Sequence, residues 1–174
     1  MTWVCLATGP SMSQAVADSV RGKCKVIAVS DAYRLAPWAD VMVSSDLKWW
    51  KHHQPDFPGP KYATVEVPHS DIKRFDWTET ATNSGLLAIK VAAHLGAKRI
   101  LLLGYDMGGS HFFGPHPAPL KNTKPERFDV FKKQFEGFKP RGVEIINCTP
   151  GTALKCYPMA RLDEVLAESP LHGS

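Results

Sequence analysis

Three stretches of this chain are apolar on successive residues, or nearly so: VIAV at 26–29, ILLLG at 100–104 and VEII at 143–146. A strand with one face in water alternates apolar and polar side chains, whereas a continuous run is buried on both faces. Strands of that kind belong to parallel sheets covered by helices on both sides. The spacing predicts strands over 3–7, 25–30, 41–44, 62–67, 99–104 and 143–147. Between them the apolar period lengthens to three and four residues, the helical spacing. Helices are predicted over 11–20, 46–53, 83–95, 126–138 and 161–167. Gly96 stands where a C-terminal cap belongs and Pro158 precedes the last helix. The alternation implies an α/β fold: one three-layer Rossmann-like domain with a largely parallel sheet.

The chain has 174 residues, 44% apolar and 22% charged, ordinary proportions for one globular domain with a proper core. Its net charge of +4 suits an anionic ligand such as a nucleotide and falls short of a nucleic-acid footprint. No apolar run approaches the roughly 20 residues of a membrane span. The N-terminus MTWVCLATGPS has no charged n-region, so no signal peptide is read and a cytoplasmic location is expected. Homo-oligomerisation stays open. Cys5, Cys24, Cys148 and Cys156 form no CxxC, which favours buried free thiols over a disulfide framework or a zinc site.

Two stretches are irregular. Residues 54–61 carry three prolines and a glycine, and residues 106–125 carry three glycines and four prolines. The second is longer than an ordinary connector and leaves the carboxyl end of a strand, where open α/β sheets bind ligands. It is read as a functional loop or lid.

The first strand ends in Thr8-Gly9-Pro10-Ser11. Ser11 and Gln14 have the spacing of a capping box, so the helix is expected to start at Ser11 with its free N–H groups facing the sheet edge. Such a terminus attracts anions; an ordinary capped helix reads the same way. Other strand and helix ends add small polar and acidic residues to that edge: Ser30 and Asp31, Ser45 and Asp46, Asn83, Ser84 and Gly85, and Gly104, Tyr105 and Asp106. Each also has a plain reading as a cap or turn. Together they outline a cleft able to hold a base, a ribose and phosphates.

The GPS turn, the segment TNSGLLAIKVAAHLGAKRILLLGYDM and the histidine-bearing loop after it resemble one superfamily. They are similar to bacterial lipooligosaccharide sialyltransferases, which use CMP-sialic acid, and to proteins related to 6-hydroxymethyl-dihydropterin diphosphokinase, with short phage-encoded members. The shared pattern is a G-x-G-P-S loop, then Ser84-Gly85, Ala92 and Leu95-Gly96, then Gly104-Tyr105-Asp106. It runs from residue 3 to about residue 155. The resemblance implies a nucleotide-dependent transferase, most similar to a glycosyltransferase using a CMP-sugar-type donor. It implies phosphate at Gly9-Pro10-Ser11, base and ribose at Asp31, Ser45, Asn83 and Ser84, and His111 or His116 as general base on the acceptor hydroxyl. A neutral imidazole suits that role. The chain departs from the family at Ala7, at Asp31 where asparagine is favoured, and at Gly108 where a phosphate-holding tyrosine stands.

Alternatives are a diphosphotransferase of the hydroxymethylpterin type, with Mg²⁺ held by Asp31, Asp46 or Asp106, and a non-enzymatic nucleotide-binding protein. Under the first reading no metal ligand is assigned. Residues 121–141 carry seven basic side chains against three acidic ones, read as a solvated helix face or a flap near phosphate, with Arg127 the phosphate or acceptor candidate. Of Trp49 and Trp50, one is expected to pack and the other to be exposed, able to stack on a base. His52 and His53 diverge around the helix and make a poor pair of metal ligands. The four phenylalanines of 126–138 are read as core.

Overall fold

The computed structural model describes residues 1–109, 111–116, 120 and 124–168. The strands are β1 (Thr2–Leu6), β2 (Lys25–Val29), β3 (Val41–Val43), β4 (Lys61–Ala63), β5 (Lys73–Arg74), β6 (Arg99–Leu103) and β7 (Glu144–Asn147). They form one sheet in the order β5-β4-β3-β2-β1-β6-β7, parallel at every pairing. The Rossmann-like arrangement read from the continuous apolar runs is therefore present. β1 pairs with β2 from Trp3 against Lys25 and with β6 from Thr2 against Arg99. The strand order reverses between β1 and β6, and their carboxyl ends are the switch point of the fold, where open sheets bind ligands.

The helices are α1 (Gln14–Val20), α2 (Leu47–His53), α3 (Ser84–His94), α4 (Pro125–Glu136) and α5 (Leu162–Glu168), and a 3₁₀ turn covers Ser30–Arg34. Alternate strand residues feed two cores. On one face Cys5, Ile27, Val43 and Leu102 pack with Leu87 and Val91 of α3 and Phe135 of α4. On the other, Val4, Val26, Met42 and Leu101 pack with Ala17 and Val20 of α1, both tryptophans of α2 and Val165 of α5. Three layers follow directly. Among the described residues no helix is long and apolar enough to cross a membrane.

The structure corrects some boundaries. α1 begins three residues later than expected: Ser13, not Ser11, caps it by accepting from the Val16 amide at 3.2 Å. Gln14 reaches Asp18 and the Leu35 carbonyl instead of closing a capping box. β5 was not anticipated, because two exposed charged residues carry no strand pattern; charge of that kind protects an edge strand from further pairing. Asn83 caps α3 as expected, and Gly96 beyond it adopts the left-handed φ of +98°. Of the four phenylalanines on α4's stretch only Phe135 is fully buried. Cys5 and Cys148 are buried and all four cysteines are free thiols; Cys24 and Cys156 are half-buried.

Candidate functional site

At the switch point, the turn after β1 is stitched to the end of β6. Gly9 N donates to Gly104 O at 2.8 Å. The Ser11 hydroxyl donates to Asp106 Oδ1 at 2.7 Å and its amide to Oδ2 at 3.3 Å. A Cβ at Gly9 would overlap the Asp106 carboxylate, so glycine is what lets the two strand ends meet. A carboxylate of the chain thus already takes the donors of Ser11 that the sequence offers to a phosphate.

The second centre lies at the end of β2. Ser30 takes a left-handed φ of 48° and its hydroxyl lies 2.8 Å from that of Ser44. The sharp bend starts the 3₁₀ turn and tucks Asp31 inward, only 1% exposed. A buried carboxylate is costly unless it is paired and hydrogen-bonded. The Trp49 indole supplies the hydrogen bond, donating Nε1–H to Oδ2 at 3.0 Å. Arg34 supplies the charge, 3.0 Å from Oδ1 and three residues along the turn. His53 Nε2 stands 3.6 Å from Oδ1, and His116 Nδ1 stands 3.8 Å from Oδ2. The 3₁₀ turn, α2 and the loop after β6 therefore converge on one carboxylate.

The loop after β6 closes this centre from above. Phe112 N donates to the Thr8 carbonyl at 3.0 Å, and His111 Nδ1 lies 3.1 Å from the Thr8 hydroxyl. The Phe113 ring stacks on His111 at 4.8 Å, nearly parallel, and the Arg34 guanidinium lies 4.9 Å from the Phe113 ring. His111 and His116 are 4.6 Å apart between ring centres. Burial lowers the pKa of both, with Asp31 pulling the other way, so both imidazoles are held toward the neutral form. His53 is lowered for the same reason. The lid read over 106–125 is thus folded back onto β1 and β2 through residues 111–116; Ser110, 117–119 and 121–123, with Lys121 of the basic stretch, lie outside the described residues.

The remaining candidates divide. Ser45 and Ser84 meet on the same edge, hydroxyls 2.8 Å apart, with the Ser45 amide donating to Ser84 Oγ. Asp46 caps α2 by accepting from the Lys48 amide. Asn83 is buried, accepting from the Leu86 amide and donating to Gln134, so its side chain serves the α3–α4 contact. Tyr105 is fully buried, its hydroxyl donating to the Gly85 carbonyl at 2.8 Å; it is a core residue. Pro10 packs toward Gly109. Arg127 is exposed on α4 with its guanidinium over Phe131.

Neither tryptophan of α2 is exposed, contrary to expectation. Trp50 donates to the Ser44 carbonyl at 2.8 Å and Trp49 to Asp31, because the end of β3 and the 3₁₀ turn both pack against this helix in one core. His52 and His53 do not diverge as expected: their rings meet edge to face at 4.9 Å, and His53 also reaches Asp31 on another element. Sequence reasoning missed His53, Trp49 as a donor, and Arg34. The spacing of Arg34 from Asp31, i to i+3, was the available signal.

Two groups of residues bear on a cation. Of the carboxylates expected to hold Mg²⁺ under the diphosphotransferase reading, Asp46 caps α2 and Asp106 holds Ser11, so each already has partners within the chain. Asp31, His53 and His116 do assemble: their ligand atoms lie within 4.8 Å of one another. A wider concavity of about 1370 Å³ opens among Met1, Cys24, Trp38 and Leu166, at the amino ends of the strands, opposite the ligand-binding edge of such sheets. No family model, curated protein or solved structure matches the chain, and the site rests on its own geometry.

Proposed function

We propose that this chain is a nucleotide-dependent transferase, of the glycosyltransferase kind with a CMP-sugar-type donor, working over the carboxyl ends of β1, β2 and β3. The observation that carries the reading is the folding of His111 and His116 back onto Thr8 and Asp31. It leaves two imidazoles, both held toward neutrality, at the switch point. A neutral imidazole accepts a proton from an acceptor hydroxyl as that oxygen attacks the donor's sugar carbon, while the nucleotide leaves with the bonding pair. His111, anchored by Thr8 and stacked on Phe113, takes this role. The negative charge of the leaving phosphate is drawn to Arg34, since Asp106 already occupies the donors of Ser11.

A thermal-shift series with CMP, CDP, ATP and GTP, each with and without Mg²⁺, tests the reading. Stabilisation by CMP without Mg²⁺ is expected, about 2.7 kcal/mol at a hundredfold excess over Kd. A strict need for ATP and Mg²⁺ would favour diphosphate transfer. CMP binding without turnover of any CMP-sugar would leave a nucleotide-binding protein. No shift with any nucleotide overturns the proposal.

A further inference from the structure

We propose that Asp31, His53 and His116 form a binding site for one divalent transition-metal ion of the zinc or cobalt class. Three ligands around such an ion, with bonds of about 2.1 Å, stand roughly 3.4 Å apart at a tetrahedral centre. Here His53 Nε2 lies 3.6 Å from Asp31 Oδ1 and His116 Nδ1 lies 3.8 Å from Asp31 Oδ2, and with one ligand atom taken from each residue all three lie within 4.8 Å. The two shorter separations are within a few tenths of an ångström of bonding geometry, and the widest closes by a shift of about 1 Å.

A second observation points to a ligand. Asp31 is 1% exposed, yet its Oδ1 accepts no hydrogen bond among the described residues, and the buried Nε2 of His53 makes none either. The two atoms face each other across 3.6 Å, too far for a hydrogen bond and close to the separation of two ligands on one ion. Arg34 approaches Oδ1 at 3.0 Å without hydrogen-bond alignment. Its side chain is about half exposed, so it can neutralise Asp31 without the metal and withdraw along the Phe113 ring when a cation arrives.

The surroundings are those of a metal ligand set. Trp49 Nε1–H on Oδ2 holds the carboxylate in place, as partners behind a ligand do. Two imidazoles and one carboxylate select zinc, cobalt or iron over magnesium, and three protein ligands leave a position open to water or substrate. The ion would share the cleft of the transfer reaction, where it can draw in phosphate oxygens. Its detection is independent of that reaction.

The test uses the full chain after chelator treatment, titrated with Co²⁺ and read by its visible d–d absorption, with Zn²⁺ as competitor. One Co²⁺ per chain is expected, displaced by Zn²⁺ and showing no thiolate charge-transfer band. His53→Ala and His116→Ala each weaken binding by at least about tenfold, the cost of losing even an outer partner. His69→Ala and His94→Ala leave it unchanged. Absence of Co²⁺ binding by the wild-type chain overturns the proposal. So does a thiolate band, or binding indifferent to both His53 and His116. Circular dichroism confirms that the variants are folded, and the wild-type titration decides even where one is not. Calorimetry with CMP on the metal-free chain separates failure of this site from failure of the transferase reading.

Discussion

The Asp106 carboxylate holds the turn after the first strand by both oxygens, one on the Ser11 hydroxyl at 2.7 Å and one on the Ser11 amide at 3.3 Å. It is a cross-strand clasp between β1 and β6 at the point where the sheet reverses its order. Asp106→Ala leaves those donors without their acceptor and should cost about 1–3 kcal/mol in urea unfolding. Gly9→Ala drives a methyl into the same carboxylate and should also destabilise the fold. Because the two changes meet at one atom, the double variant should lose less than the sum. Strict additivity would show that the clasp does not exist in solution.

Trp49 ties α2 to Asp31. Trp49→Phe keeps an aromatic ring but loses the Nε1–H and part of the indole's volume, and about 1.5–3 kcal/mol of stability should go with the bond to a charged group. Trp49→Ala adds a cavity and should cost about 3–5 kcal/mol. Equal losses for the two variants would mean that the indole acts through its N–H alone, and no loss for Trp49→Phe that it acts by bulk alone.

For the proposed transfer reaction, His111→Ala should lower kcat by roughly 10²–10⁴ while leaving CMP affinity within a few-fold. Steady-state kinetics beside calorimetry separate the two effects. Full turnover in the variant would remove His111 from the role of base.

Thiol reactivity reports the two cores. Burial pushes the Cys5 thiol up to about 12 and the Cys148 thiol up to about 11. Near pH 8 almost none of either is thiolate, the reactive form. Iodoacetamide followed by mass spectrometry should therefore modify half-buried Cys24 and Cys156 first, with all four reacting in denaturant. Raising the pH toward 10 should speed the native reaction. Labelling of Cys5 at the pace of Cys24 would contradict the packing of β1.

The sheet was legible because both-face burial writes itself as unbroken apolar runs. What was illegible had little hydrophobic signature: Lys73 and Arg74 are charged and exposed where they pair with β4, and the 3₁₀ turn at Ser30–Arg34 looks like the end of a strand. The start of α1 was misread because Ser11 and Ser13 are equally able to cap. Asp106, 95 residues further on, engages the first and leaves the second to the helix. The site was half legible. Asp31, His111 and His116 stand out as a strand end and a glycine-flanked loop. His53 does not, since the sequence offers His52 as its neighbour while the fold offers Asp31 and His116.

Of the seven strands of this sheet β1 is made first, and it lies between β2 and β6. A growing chain can lay down β1 to β5 in spatial order, each beside the one before. The other edge of β1 waits for a partner that begins at Arg99. The cleft waits with it: Thr8, Asp31 and His53 precede β6, whereas Asp106, His111 and His116 follow it. Half-made chains therefore carry an open hydrogen-bonding edge and an incomplete site, and one late pairing closes both.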